Sequence, residues 1–324
     1  MSLPEKIAKR LRLPLIAAPM LRVSGPDLVV AACINGAIGA FPVANARSLE
    51  QLDEWLIQIK ARIEMARAED PSRIIAPFCP NLIIRHAQVR EALACLVRRK
   101  VEMVITSVGS PEAAVGPLHD IGCTVFADVA TLRHAEKAIS TGVDGLILLT
   151  AGAGGQTGWM NAFAITRAVR EMFDGPIVMA GGISDGRVLW AAEVLGCDLA
   201  YMGTKFIATH ESMADPEYKQ MLVESSMDDV MLTRAFTGLD TNMLRPSVVA
   251  AGLDPANLPE RVTIEAAAQI HGTGGSGPKR WKEVWSAGHS ISGVTAVMSA
   301  AELIEQTARE YEAAKQETLK NLRR

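Results

Sequence analysis

Three glycine-rich turns hold the residues whose types and spacing could do chemistry. The first is Thr150–Trp159, TAGAGGQTGW, with Gln156 standing among Gly152, Gly154, Gly155 and Gly158. Glycine admits positive φ and lets a ligand approach the main chain. Glutamine donates and accepts hydrogen bonds but does not titrate. The second and third turns are AGGISDG (Ala180–Gly186) and MGTKF (Met202–Phe206). Each sets bare backbone N–H groups beside a predicted helix start, a place that suits phosphate. Gly181, Gly182, Gly203 and Thr204 are therefore candidate phosphate donors. The first turn has a loose G-x-G-x-x-G look, but it follows a sixth apolar run and has no acidic ribose partner at a fitting strand end. No Lys-Ser/Thr pair follows it, so it is not a P-loop either.

Eight apolar runs must position these turns: 13–20, 37–43, 74–82, 101–108, 124–130, 144–152, 176–182 and 199–206. Each is nearly continuous, as expected of a parallel strand buried on both faces. Helix-like segments alternate with them, and Gly122, Gly142 and Gly196 stand where helices should stop. This rhythm predicts an α/β fold, a closed (β/α)8 TIM barrel, with the open doubly wound sheet as the alternative. Residues 1–226 read as the barrel. Residues 227–281, rich in Pro, Gly, Asn and Asp, read as a loop-rich insertion or lid after the eighth strand. Residues 282–324 return to the barrel and end in an amphipathic helix from about Ser299.

Ligands of such barrels bind at the C-terminal ends of the strands. The strand-end residues are Ala18-Pro19-Met20, Pro42, Asn81, Ser107, Asp128, Gly152 to Gln156, Gly181-Gly182 and Gly203-Thr204. Turns after the seventh and eighth strands commonly form a phosphate site, and two of the glycine turns fall there.

The formal net charge of −3 speaks against a nucleic-acid partner. No apolar stretch reads as a signal peptide or a membrane span. The five cysteines (Cys33, Cys79, Cys95, Cys123, Cys197) form no CxxC pair and read as reduced thiols of a cytoplasmic protein. No metal-ligand spacing is present, so no metal site is expected. Asp174 and Asp185 read as caps. His86, His119 and His134 read as solvated helix residues.

The motifs PLIAAPM, PFCPNL, AGAGGQTG, GPIVMAGGISDG and YMGTKFIATHES, in this order and spacing, resemble the nitronate monooxygenase family, also called 2-nitropropane dioxygenases. Relatives of that family include FMN-dependent enoyl-ACP reductases and an NADH:quinone reductase. The resemblance runs from about Leu13 to Glu211 and resumes at WSAGHS (285–290). It implies an FMN-binding barrel and an oxidoreductase. By position it implies Ala18 and Met20 beside the flavin ring and Asn81 on its pyrimidine side. It implies Gly154 and Gly155 along the ring and ribityl chain, and Gly181, Gly182, Gly203 and Thr204 at the phosphate. Lys205 would stand behind that phosphate.

Two positions depart from the family pattern. Gln156 replaces the histidine of a GGH motif, which serves as a base or hydrogen-bond donor near the reacting edge of the flavin. Asp128 replaces a basic residue. The resemblance also marks His289 as a candidate catalytic contact; His210, just after the eighth strand, is a weaker candidate by its place, and Trp159 reads as a candidate wall of the substrate pocket. The expected substrate is a small molecule, and a homodimer is allowed. The expected chemistry is oxidation of an alkyl nitronate with O2. The alternative is a flavin reductase using NAD(P)H as co-substrate and acting on an activated alkene or a quinone. A third option is a non-catalytic FMN-binding scaffold.

Overall fold

A computed structural model describes residues 3–272 and 274–323. Its strands, in chain order, are β1 (Leu15–Ala17), β2 (Ile38–Pro42), β3 (Phe78–Ile83), β4 (Met103–Ser107), β5 (Thr124–Val129), β6 (Gly145–Leu149), β7 (Gly155–Gln156), β8 (Ile177–Ala180), β9 (Leu199–Met202), β10 (Val230–Thr233) and β11 (Thr241–Leu244). All except β7, β10 and β11 form a closed parallel barrel in the order β1-β2-β3-β4-β5-β6-β8-β9, with β9 returning to β1. The predicted (β/α)8 barrel is thus the observed fold, and each of the eight apolar runs supplies one of its strands.

The runs are continuous because each strand packs on two cores. Outward residues such as Leu146, Leu148, Ile177 and Met179 join the surrounding helices. Inward residues such as Ile16, Ile38, Met103, Ile105, Phe126, Ile147 and Val178 fill the barrel. Leu3 and Ile7, at the short helix Glu5–Ala8, join that interior cluster. Helix ends follow the sequence signals: Ser48, Thr131, Asn161 and Asp185 each accept a hydrogen bond from the first turn. Gly122, Gly142 and Gly196 all take positive φ, as a helix stop requires. The last helix, Ala300–Leu322, is capped by Ser299 and Glu302 and packs on the helix Gly186–Leu195, where Trp190 Nε1 donates to Thr318 Oγ1 at 3.0 Å.

One ion pair, its carboxylate buried and its guanidinium partly exposed, ties the end of the helix Ala162–Arg170 to the strands. Asp198 accepts from Arg170 Nη2 at 2.9 Å and from the Ile177 N–H at 3.0 Å, and Arg170 also donates to the Gly175 and Gly196 carbonyls. Breaking a buried pair leaves the partner charge uncompensated. Asp198→Ala is therefore expected to lower stability by about 3–5 kcal/mol, read from the urea midpoint at unchanged slope.

The segment 227–281 is not wholly loop. β10 and β11 pair antiparallel, and β11 pairs with β7, so the turn after β6 is an edge strand of a second, three-stranded sheet. Short helices follow at Arg245–Ala250 and Ile264–His271. The sequence hides these strands because they are four residues long and β10 is only half-buried, so no clean alternation marks it.

Candidate active site

Every barrel strand contributes an inward residue, near its C-terminal end, to a cavity of about 430 Å³. They are Ala18, Pro42, Asn81, Ser107, Asp128, Leu149, Ala180 and Tyr201. The side-chain period of two explains this ring, for each stands two residues beyond a residue that fills the interior below, as Asp128 stands beyond Phe126 and Tyr201 beyond Leu199. Around the ring lie Met20, Gly154, Gly155, Gln156, Gly181, Gly182, Gly203 and Thr204. The structure thus brings together the candidates named from the sequence other than His289, His210, Trp159 and Lys205.

His289 is exposed and stands outside the lining, while its neighbour Ser290 lies within it. The His289 N–H donates to the Gly152 carbonyl at 2.9 Å, and its ring sits against the Gly152 α-carbon. The motif position was legible, but the facing of the 3-10 turn His289–Gly293 was not. His210 also falls outside the lining, as does Trp159, which is 81% exposed.

The two turns after β8 and β9 present unpaired backbone N–H groups to the cavity. Gly181 and Gly182 have φ of 129° and 73°. The N–H groups of Gly181, Gly182, Gly203 and Thr204 donate to no described residue. A Cβ on Gly182 would meet no atom within 4 Å, whereas one on Gly181 would overlap Thr150 Oγ1. The return segment holds the turns in place: the Gly288 N–H donates to Thr204 Oγ1 at 3.0 Å. Lys205 is buried just behind, and burial pulls its amine below the usual lysine range, with Glu310 and Asp185 opposing. These features fit a phosphate monoester.

The first turn is held from the other side. Asn242 Nδ2 donates to the Ala153 carbonyl at 2.7 Å, and Gln156 pairs with Thr241 in the second sheet. The Gln156 side chain is exposed at the rim and makes no hydrogen bond with a described residue. Trp281 comes within 3.8 Å of where a Gly155 Cβ would stand. Trp285, stacked on Tyr218 with centroids 4.9 Å apart, forms more of the wall. Trp281 ends the segment read as a lid and Trp285 opens the WSAGHS motif, whereas Tyr218, on the helix Pro216–Glu224, is the wall residue that sequence reading missed.

Asn81 Nδ2 donates to Ser107 Oγ at 3.0 Å on the floor. Asp128 Oδ1 and Tyr201 Oη are buried there without a hydrogen-bond partner. Burial pushes the Asp128 carboxyl up to about 7. Among the described residues it is the one group in the lining able to exchange a proton near neutral pH, for no described histidine, cysteine, lysine or glutamate lines the cavity. The folded-state value lies above the unfolded one, so the proton is held more tightly in the folded protein. The penalty is absent below about pH 4, grows as pH rises and is complete above about pH 7. At roughly 1.4 kcal/mol per unit over about three units, Asp128→Asn should gain about 4 kcal/mol relative to wild type between those limits in cofactor-free protein. Urea melts of both proteins across that range check this.

A sequence model described as nitronate monooxygenase matches residues 4–310. The chain belongs to the nitronate monooxygenase family. It is an FMN-dependent oxidoreductase by class. A nitronate monooxygenase of Paraburkholderia phytofirmans is 26% identical over 92% of this chain and 92% of its own. A Rhodococcus jostii enzyme named (3aS,4S,5R,7aS)-5-hydroxy-7a-methyl-1-oxo-octahydro-1H-indene-4-carboxyl-CoA dehydrogenase is 25% identical over 73% of this chain and 64% of its own. Among solved structures, FabK from Thermotoga maritima superposes with a TM-score of 0.79 at 23% identity, over 97% of this chain and 96% of that one. A nitroalkane oxidase from Streptomyces ansochromogenes superposes with a TM-score of 0.77 at 23% identity, over 94% and 97%. At these identities the solved structures bear on the fold alone. Among the described residues no helix is long and apolar enough to cross a membrane, and no cluster of three metal-ligating side chains occurs.

Proposed function

We propose that the cavity binds FMN and that this member of the nitronate monooxygenase family oxidises alkyl nitronates with O2. The observation that carries the reading is the pair of turns after β8 and β9, whose unpaired N–H groups suit one terminal phosphate. Gly181, Gly182, Gly203 and Thr204 would hold that phosphate, Gly154 and Gly155 would flank the ring and ribityl chain, Ala18 and Met20 would pack beside the ring, and Asn81 and Asp128 would face its pyrimidine side. Bound FMN supplies the electron relay, taking two electrons from the substrate and returning them to O2.

The side chains do the rest. A nitronate is already deprotonated, so a lining without histidine suffices for it. Arg85 and Arg280 in the lining have no carboxylate partner among the described residues, and they favour an anionic substrate. Gln156, free at the rim, can donate to a nitro oxygen and orient the reacting carbon. The segment 227–281 contributes Thr237, Leu239, Ile264, Arg280 and Trp281 to the mouth, where it would keep water from the reacting atoms. All five cysteines are free and buried, which suits a cytoplasmic setting.

The mostly apolar mouth, wide for a short nitronate, favours a second reading: NAD(P)H as co-substrate and an activated alkene, enoyl-thioester-like, or a quinone as acceptor. Anaerobic mixing of the yellow protein with an alkyl nitronate, NADH or NADPH separates the two. Bleaching by nitronate alone supports the first. Bleaching only by a pyridine nucleotide replaces it with the second.

A further inference from the structure

Asp128 and Tyr201 stand out because buried polar groups are nearly always hydrogen-bonded. Asp128 lies inward on β5 and Tyr201 inward on β9, with β6 and β8 between them. Asp128 Oδ1 and Tyr201 Oη are the buried side-chain oxygens and nitrogens without a partner among the described residues. Both line the cavity floor, so the molecule that fills the cavity is the partner left to them. An orphaned buried oxygen is costly to the fold, and its persistence asks for a ligand that relieves it.

The groups around Asp128 decide its charge. Cys79 on β3 and Tyr201 on β9 are the titratable neighbours that sense it, and both are neutral thiol and phenol at ordinary pH, held so by burial. The neighbouring inward residues on β4, β6 and β8 are Ser107, Leu149 and Ala180, none of them charged. Arg85 and Arg280 line the cavity too, but neither forms an ion pair with Asp128. Nothing offsets the cost of ionising a carboxyl in this place.

Resting on the FMN reading above, we propose that Asp128 is held as the neutral acid and, with the Tyr201 hydroxyl, donates hydrogen bonds to the carbonyl-bearing edge of the bound flavin. A cation at this position would stabilise added electron density by its charge. A neutral acid does so by holding its proton, and the proton becomes linked to the electrons. Where Asp128 is ionised before reduction, the two electrons and one ring proton that a bound flavin would take up would be joined by one further proton, moved from solvent to the Asp128 carboxylate. No bond of the flavin is made or broken by that proton. Linkage then demands that the reduction potential fall more steeply with pH over the range in which Asp128 titrates.

The test is the two-electron midpoint potential of the FMN-loaded protein against pH, in wild type, Asp128→Asn and Tyr201→Phe. The wild-type curve should steepen above neutral pH by about one extra proton per two electrons. Asp128→Asn keeps a donor, retains FMN and loses that steepening. Tyr201→Phe keeps the steepening but binds FMN about tenfold more weakly, the effect of one lost hydrogen bond. Superimposable wild-type and Asp128→Asn curves in yellow protein overturn the proposal. So does undiminished FMN affinity in Tyr201→Phe. If none of the proteins takes up FMN, the FMN reading fails instead. The carboxylic-acid C=O stretch in the infrared difference between wild type and Asp128→Asn then tests the neutral acid on its own, and its absence at neutral pH sinks that part. The same spectrum serves if Asp128→Asn retains its fold but not its flavin.

Discussion

Gly182→Val is expected to leave the barrel folded and strip it of FMN. The position is open, since a Cβ there meets no atom within 4 Å, so the side chain displaces no protein atom. Gly182 lines the cavity beside the unpaired N–H groups of the turn, and the prediction is that the added side chain takes up space there. The φ of 73° adds about 1–2 kcal/mol of strain for a residue with a Cβ, small beside the stability of a whole domain. Two lost charge-assisted hydrogen bonds to a phosphate amount to about 3–6 kcal/mol, which weakens FMN binding at least about a hundredfold. Flavin absorbance after desalting, with far-UV circular dichroism as the check on folding, reads both effects. Gly181→Val is the contrast. Its Cβ would overlap Thr150 Oγ1, so it should lower stability itself. A Gly182→Val protein that keeps its flavin puts the phosphate somewhere else.

Gln156→Ala should cut turnover about ten- to a thousandfold while FMN stays bound, the loss typical of one oriented donor. The structure makes this a clean removal. The backbone of Gln156 is held by Thr241 across the second sheet, and its side chain touches no described partner. Truncation therefore leaves the turn in place and takes away only the amide. Gln156→His supplies a group that titrates near neutral pH, and it should bring a break in the pH–rate profile near pH 6.5 that wild type lacks. Steady-state rates with an alkyl nitronate across pH 5 to 9 decide both. Unchanged turnover in Gln156→Ala assigns the side chain no part in the chemistry.

What the sequence disclosed follows from how strongly burial writes itself into residue types. Strands with both faces covered need unbroken apolar runs, so all eight barrel strands were legible, as were the capped final helix and the glycine turns. The strand-end rule then placed Asn81, Asp128 and Gly182 at one end of the barrel. Tyr201 was hidden in the run LAYMGTKF, where it reads as one more apolar residue. Counting by twos from Leu199 would have turned it inward. β7, two residues long, leaves no periodic trace, and its pairing with β11 depends on contacts 85 residues apart in the chain. His289 was read from its motif, yet which side of a 3-10 turn a residue faces is set by packing against Gly152.

The account rests on a monophosphate flavin in this cavity. Denaturing the purified protein and identifying the released chromophore tests that most directly. FMN, at about one per chain after reconstitution, is the predicted result. Recovery of FAD, or of no flavin after incubation with excess FMN, would contradict it.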